Sequence, residues 1–157
     1  MAIDQRSGAG SGGAQAIETV EHQGEMYAMV LRAAYRADGI SFFTPSNFSQ
    51  QLAYMRWPAG HAIPPHVHNP VIREVQFTRE VLFIRQGRVR VDFYTEDRAY
   101  MESRVLATGD VVLLAAGGHG FEMLEESEMI EVKQGPYAGE QDKTRFEPVP
   151  GHRLRIP

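Results

Sequence analysis

Short runs of alternating apolar and polar residues, separated by glycine and proline, occupy most of the chain. The clearest run is 88–94 (RVRVDFY), where valine and phenylalanine alternate with arginine and aspartate. Since successive side chains of a strand point to opposite faces, this run predicts one buried and one solvent-exposed face. Further strands are predicted at 52–57, 81–85, 111–114, 121–124 and 129–133. Many short strands with frequent turns predict an all-β sandwich or barrel.

The two ends of the chain are less regular. Residues 17–30 are predicted to be extended, although 27–37 (YAMVLRAAYRA) is also compatible with a short helix, and periodicity leaves both open. The glycine-serine run at 7–13 predicts a flexible N-terminal tail over 1–16. One barrel domain is then expected over 17–147, with a C-terminal tail at 148–157 that packs over the barrel or is partly disordered.

Length and charge restrict the function classes. A chain of 157 residues predicts one domain, and its 43% hydrophobic and 23% charged residues are ordinary for a soluble protein. The net charge of −4 lacks the basic excess of a nucleic-acid binder. No apolar run is long enough to cross a membrane, and no secretory signal is recognisable. We therefore expect a cytoplasmic protein with neither a nucleic-acid nor a membrane partner.

The absence of cysteine narrows the chemistry further. It excludes disulfides, thiolate metal ligands and cysteine nucleophiles. Any metal ion would be held by imidazole and carboxylate groups, which suit Zn, Fe, Ni, Mn or Cu.

Candidate chemistry begins with His66 and His68, which follow the pair Pro64-Pro65. On a strand, side chains two residues apart point to the same face, about 7 Å apart at Cα. Two such imidazoles can bind one metal ion. An isolated H-x-H pair beside prolines is more often an exposed loop, so further ligands are needed to favour a metal site.

Glu80 is the next candidate because it opens an otherwise apolar strand. Alternation places Glu80 on the face of Leu82 and Ile84. If that face is interior, the buried carboxylate needs a partner, and a metal ion would supply one. If the strand is continuous over 71–84, Glu74 shares this face and lines the mouth of the cavity.

These residues resemble the first motif of the cupin superfamily, G-x5-H-x-H-x(3–4)-E-x6-G. The matching residues are Gly60, His66, His68, Glu80 and Gly87. Eleven residues separate the second histidine from Glu80, more than the usual spacer. Glu74 lies nearer the usual spacing, but a valine stands where the motif glycine should follow it. Glu80 is therefore the preferred carboxylate.

Residues 109–119 (GDVVLLAAGGH) resemble the second cupin motif, G-x5-P-x-G-x2-H-x3-N. Ala115 replaces the proline, His119 comes one residue early, and the asparagine is missing. The resemblance implies that His119 is the fourth metal ligand, together with His66, His68 and Glu80.

The resemblance implies a double-stranded β-helix, the jelly-roll barrel of single-domain cupins, holding one divalent transition metal ion. Three imidazoles and one carboxylate leave one or two positions open for water or substrate, as in catalytic sites. We expect a metal-dependent enzyme of the isomerase, epimerase or dioxygenase type, acting on a small sugar-like molecule or a keto or hydroxy acid. Glu80 and Glu74 are the catalytic candidates. A homodimer is expected, since cupins often pair edge strands or exchange N-terminal strands.

Two alternatives stay open, because one barrel hosts many chemistries. The first is a non-catalytic module that binds a small molecule. The second is a metal-free isomerase or epimerase in which His66 or His68 acts as a general base on a sugar ring.

Overall fold

The computed structural model describes residues 16–157, which form ten β-strands and two short 3₁₀ turns. The strands are β1 (Ile17–His22), β2 (Glu25–Leu31), β3 (Gly39–Phe42), β4 (Ala53–Arg56), β5 (Glu80–Gln86), β6 (Arg88–Tyr94), β7 (Tyr100–Ala107), β8 (Val111–Leu114), β9 (Gly118–Met123) and β10 (Glu128–Lys133). The 3₁₀ turns are Gly139–Asp142 and Gly151–Arg153. No helix within this part of the chain has the length and apolar character needed to cross a membrane.

The strands form three antiparallel sheets. One has the order β1-β2-β8-β5-β10, a second has the order β7-β6-β9, and β3 and β4 form a separate hairpin-like pair. The predicted all-β class is thereby confirmed. Over residues 16–157 the sheets do not close into one barrel, so the double-stranded β-helix stays a prediction.

One apolar core joins the five-stranded and three-stranded sheets. Leu82 and Val112 contribute from the first sheet, and Val91, Phe93 and Leu106 from the second. The alternation read in 88–94 therefore predicts the inward face of β6 correctly. The core determines which face of each sheet is interior, and hence where a polar residue among these strands becomes buried.

A second apolar cluster covers the outer face of the five-stranded sheet. Met29, Val81 and Leu113 point outward from neighbouring strands. Residues of the connection between β3 and β4, among them Leu52 and Phe48, pack on them. The five-stranded sheet is thus apolar on both faces near its centre.

The structure decides two possibilities that the sequence leaves open. No helix forms at 27–37, since β2 occupies Glu25–Leu31 and a turn follows it. The continuous strand considered for 71–84 begins only at Glu80, and 57–79 contains no strand, so His66 and His68 are not on one. Prolines at 58, 64, 65 and 70 lack the N–H that a sheet ladder needs, which is consistent with this result.

One face of β6 is partly covered, and both ends of the described chain pack against other residues. The predicted exposed face of β6 is partly covered: Asp92 is only 3% exposed and accepts two hydrogen bonds from Arg90. The C-terminal tail packs on the same sheet, where the Ser103 N–H donates to the carbonyl of Arg155. Most of the predicted N-terminal tail lies outside the described residues, but Ala16 is buried.

Candidate functional site

Glu80 is a buried carboxylate at the first position of β5. It lies between two strands, opposite Leu114 on β8 and Lys133 on β10. It shares the inner face with Leu82 and Ile84, both members of the main core, and only 8% of the residue is exposed. An ionised group in such a place requires charged or hydrogen-bonding partners.

His119 supplies the first partner from the other sheet. It is the second residue of β9, opposite Phe93 on β6. Its Nε2 atom lies 3.1 Å from Oε2 of Glu80. The imidazole also rests against the ring of Phe121, with 5.4 Å between ring centroids. This contact connects the five-stranded and three-stranded sheets through two polar side chains.

A glycine turn precedes His119 and positions the start of β9. Gly117 has φ +66°, in the left-handed region that glycine tolerates best. A Cβ atom there would also overlap the ring of Tyr27 and the carbonyl of Tyr94. The glycine of the second motif is therefore required by packing as well as by backbone conformation, and it fixes the start of the strand that carries His119.

The charge on Glu80 is stabilised from two sides. Its other oxygen, Oε1, lies 3.6 Å from Nζ of Lys133, which also lies 3.2 Å from Oε2 of Glu131. The hydrogen bond with His119 lowers the pKa of Glu80, burial opposes this, and the charges of His119 and Lys133 lower it further. The net direction is downward, so Glu80 is an ionised acceptor at neutral pH.

His66 and His68 form a second pair, which is exposed to solvent. Their rings meet edge to face with 5.3 Å between centroids. The Nδ1 atom of His66 lies 2.9 Å from the carbonyl oxygen of Pro64. Because a carbonyl can only accept, Nδ1 is the donor, and in the neutral imidazole Nε2 then presents its lone pair. A backbone carbonyl in this role is a usual orienting partner of a metal-binding imidazole.

Glu74 lies in the same exposed segment and accepts a hydrogen bond of 2.9 Å from Gln76. The interrupted strand removes the reason for placing it on the face of Glu80. Its catalytic role stays a prediction without a contact that supports it among the described residues.

The predicted ligands therefore come together as two pairs. Glu80 lies beside His119, and His66 lies beside His68. Within residues 16–157, no group of three or more histidine, aspartate or glutamate side chains is arranged to hold a metal ion. Each pair could supply half of a metal site. The Glu80–His119 pair offers an ionised carboxylate next to an imidazole, and the His66–His68 pair offers two adjacent imidazoles, one of them oriented by a carbonyl. The single chain does not combine the halves.

Sequence reasoning missed Lys133, the second partner of Glu80. Its proximity arises from pairing between β5 and β10, and no local motif signals such a cross-strand contact.

A cleft of about 730 Å³ lies next to the turn that leads into β9, since Gly117 and Gly118 belong to its wall. Its charged lining residues are Glu25, Arg79, Glu96 and Arg98. None of the four predicted metal ligands lines this cleft. It is a candidate for the binding of a small molecule beside the Glu80–His119 pair.

Comparison with known proteins adds no relative: no protein-family model, curated protein or solved structure matches the chain. The chemistry of the site must therefore be interpreted from its own residues.

Proposed function

We propose that the protein binds one divalent transition metal ion and acts with it on a small polar metabolite, as a member of the cupin superfamily. The observation that carries this proposal is the Glu80–His119 pair, in which a buried, ionised carboxylate meets an imidazole 3.1 Å away. Histidine and carboxylate are suitable ligands for Zn, Fe, Ni, Mn or Cu. A bound cation would also offset the cost of burying the charge of Glu80.

Four residues are assigned to the ion in this proposal. Glu80 and His119 hold it from the two-sheet core, and His66 and His68 add two imidazoles from the exposed segment. When bound, the ion would supply an electrophile that polarises a carbonyl or lowers the pKa of a water molecule. Lys133 would keep the second oxygen of Glu80 neutralised and oriented.

The substrate class follows from the neighbouring cleft. A volume of about 730 Å³ suits a small metabolite. Two arginines and two glutamates in its wall, Arg79, Arg98, Glu25 and Glu96, favour a polar ligand that can form several hydrogen bonds. This supports a sugar-like molecule or a keto or hydroxy acid over an apolar ligand.

A second candidate function is supported by the same hydrogen bond. A carboxylate that orients an imidazole is also a general acid–base pair, and it requires no metal. Glu80 would hold His119 in one orientation, and His119 would exchange a proton with a sugar-like substrate. This assignment places the base between the two sheets, beside Glu80, whereas His66 and His68 are exposed in the single chain.

Metal analysis tests the proposal directly. Protein purified without a nickel column should contain a transition metal or take one up, with a rise in melting temperature that is lost in Glu80→Gln. If no such ion co-purifies and none raises the melting temperature, the metal proposal is wrong. Turnover of sugar and keto-acid substrates that survives a chelator would favour the acid–base pair. Saturable binding without product would favour a non-catalytic binding protein.

A further inference from the structure

The segment 57–79, hereafter the arm, is the most exposed apolar part of the described chain. Every residue from 57 to 78 is exposed. Its large apolar side chains are between 43% and 99% exposed, and they are Trp57, Ile63, Val67, Val71, Ile72, Val75 and Phe77. Soluble monomers rarely expose so many large apolar side chains within one segment, so the arm is expected to pack on another surface.

The backbone of the arm is also unpaired. Among the described residues, the one backbone–backbone hydrogen bond within it runs from the His61 N–H to the Pro58 carbonyl. Its C-terminal end is fastened to its own domain, where the Arg79 N–H donates to Gln134 and the Arg79 guanidinium lies over Phe48. The rest of the arm therefore offers free donors and acceptors for pairing with a strand edge.

The hairpin at the base of the arm also exposes an apolar face. Strands β3 and β4 form a two-stranded sheet of their own, and Ile40, Phe42 and Met55 on them are 46% to 61% exposed. A two-stranded sheet is marginal in water without cover on one face. A neighbouring molecule that covers the arm can also cover the hairpin face formed by Ile40, Phe42 and Met55.

A matching surface exists at the edges that flank the Glu80–His119 pair. β9 and β10 are each the last strand of their sheet, so one edge of each is unpaired within residues 16–157. Exposed apolar side chains lie on and beside these strands, namely Phe83, Met123, Leu124, Ile130 and Val132, at 40% to 49% exposure. β9 carries His119 itself, and β10 carries Lys133 opposite Glu80.

We infer that two copies of this chain exchange arms. The arm of one copy lies along the open β9 and β10 edges of the second copy, and its His66 and His68 join Glu80 and His119 there. The part that concerns the ion rests on the proposed metal function. A segment tethered at both ends can reach about 35 Å, which is enough to extend over a neighbouring small domain. Each metal centre would then be complete only in the dimer.

The oligomeric state gives the first test. Light scattering after size exclusion should show a dimer for the unmodified chain. A variant with Ile63, Val67, Val71 and Ile72 changed to serine should elute as a folded monomer with unchanged circular dichroism. Ile156→Ser, an exposed apolar change in the C-terminal tail, should stay dimeric. A monomeric unmodified chain, or a dimer that survives the arm changes, would overturn the inference.

Complementation tests the shared site. One variant carries His66→Ala and His68→Ala, and the other carries Glu80→Gln and His119→Ala, so each has lost one half of the site. Co-refolded in equal amounts, they should form heterodimers with one intact centre, giving about a quarter of the unmodified metal content. If each arm contributed its histidines to the site of its own chain, the mixture would bind no more metal than the separate variants. Arm exchange would then be wrong.

A covalent test separates failure of arm exchange from failure of metal binding. The chain has no cysteine, so Val67→Cys in the arm and Val132→Cys on β10 introduce the one thiol of each variant. A short bis-maleimide should produce covalent heterodimers in a mixture of the two. Heterodimers without any metal uptake would retain arm exchange and reject the metal function. Metal uptake without heterodimers would retain the metal function and reject arm exchange.

Discussion

Glu80 and His119 lie on different sheets, yet Oε2 of the first and Nε2 of the second are 3.1 Å apart. Each side chain points inward from its strand, Glu80 beside Leu82 and His119 beside Phe121. The contact gives a carboxylate that is only 8% exposed the partner that its burial requires. It also lowers the pKa of Glu80, so that the group keeps its charge at neutral pH. A metal ligand needs the same deprotonated state.

Glu80→Gln is the first test of this pair. The amide is nearly isosteric but lacks the charge, so we expect the affinity for a divalent transition metal to fall by at least about 100-fold, beyond the range typical of outer-shell changes. Isothermal titration calorimetry against Zn, Ni and Mn measures this. Glu74→Gln, in the exposed segment, is the matched control and should change affinity by less than the roughly tenfold lower limit of outer-shell changes. Equal losses in the two variants would contradict the preference for Glu80.

The alternation of the sequence was sufficient to predict some of these features. It placed Glu80 on the face of Leu82 and Ile84, and it predicted the inward residues of β6. Period-two patterns determine faces, because they need only local geometry. The proximity of Lys133 and the burial of Asp92 depend on strand pairing and on a tail far along the chain, so a local pattern could not show them.

The conformation of the segment 57–79 could not be predicted from the sequence. Motif matching treated His66 and His68 as strand residues facing an interior, and the structure places them in an exposed arm. Apolar residues, prolines and polar residues follow one another in this segment without regular spacing, so it has no decisive period. In the proposed arm exchange its conformation depends on the surface of a second copy, which no local sequence pattern encodes.

The double change His66→Ala and His68→Ala separates metal binding from folding. Both side chains are exposed in the single chain, and in the proposed dimer they lie at the metal site, so without metal the melting temperature should shift by no more than about 2 °C, equivalent to about 0.5 kcal/mol. The rise in melting temperature on adding a saturating metal ion should disappear, because a ligand stabilises only the state that binds it. Differential scanning fluorimetry with and without metal measures both. A large loss of stability in the metal-free variant would show a structural role instead.

Leu106→Ala tests the core that positions the pair. Leu106 is fully buried between the sheets, so its truncation should lower the free energy of unfolding by about 2–5 kcal/mol through lost burial and a residual cavity. Leu124→Ala is the control, since Leu124 is 40% exposed, and it should cost less than about 1 kcal/mol. Urea unfolding at neutral pH compares the two. Similar costs at both positions would indicate that the two-sheet core is not the main source of stability.

Glu18→Gln should show how stability depends on pH. Oε1 of Glu18 lies 2.6 Å from Nε of Arg32, and Oε2 lies 2.9 Å from Nε of Arg104. Burial raises the pKa of Glu18, but the hydrogen bonds and charges of Arg32 and Arg104 outweigh it, so the pKa falls below its usual 4.5. Because the side chain is 30% exposed, we expect the substitution to cost only about 1 kcal/mol at pH 7.

The sign of the pH effect follows from linkage. A carboxyl group whose pKa is lowered on folding stabilises the protein fully above its unfolded value of 4.5, and this contribution disappears as pH falls through the folded value. The gap in unfolding free energy between the two proteins should thus be constant from pH 7 to about pH 5 and shrink towards pH 3. Urea titrations at these pH values measure the gap, with Glu21→Gln, an exposed change on the same strand, as control. A gap that persists undiminished at pH 3 would show that the ion pairs with Arg32 and Arg104 do not stabilise the fold, since both arginines keep their charge throughout this range.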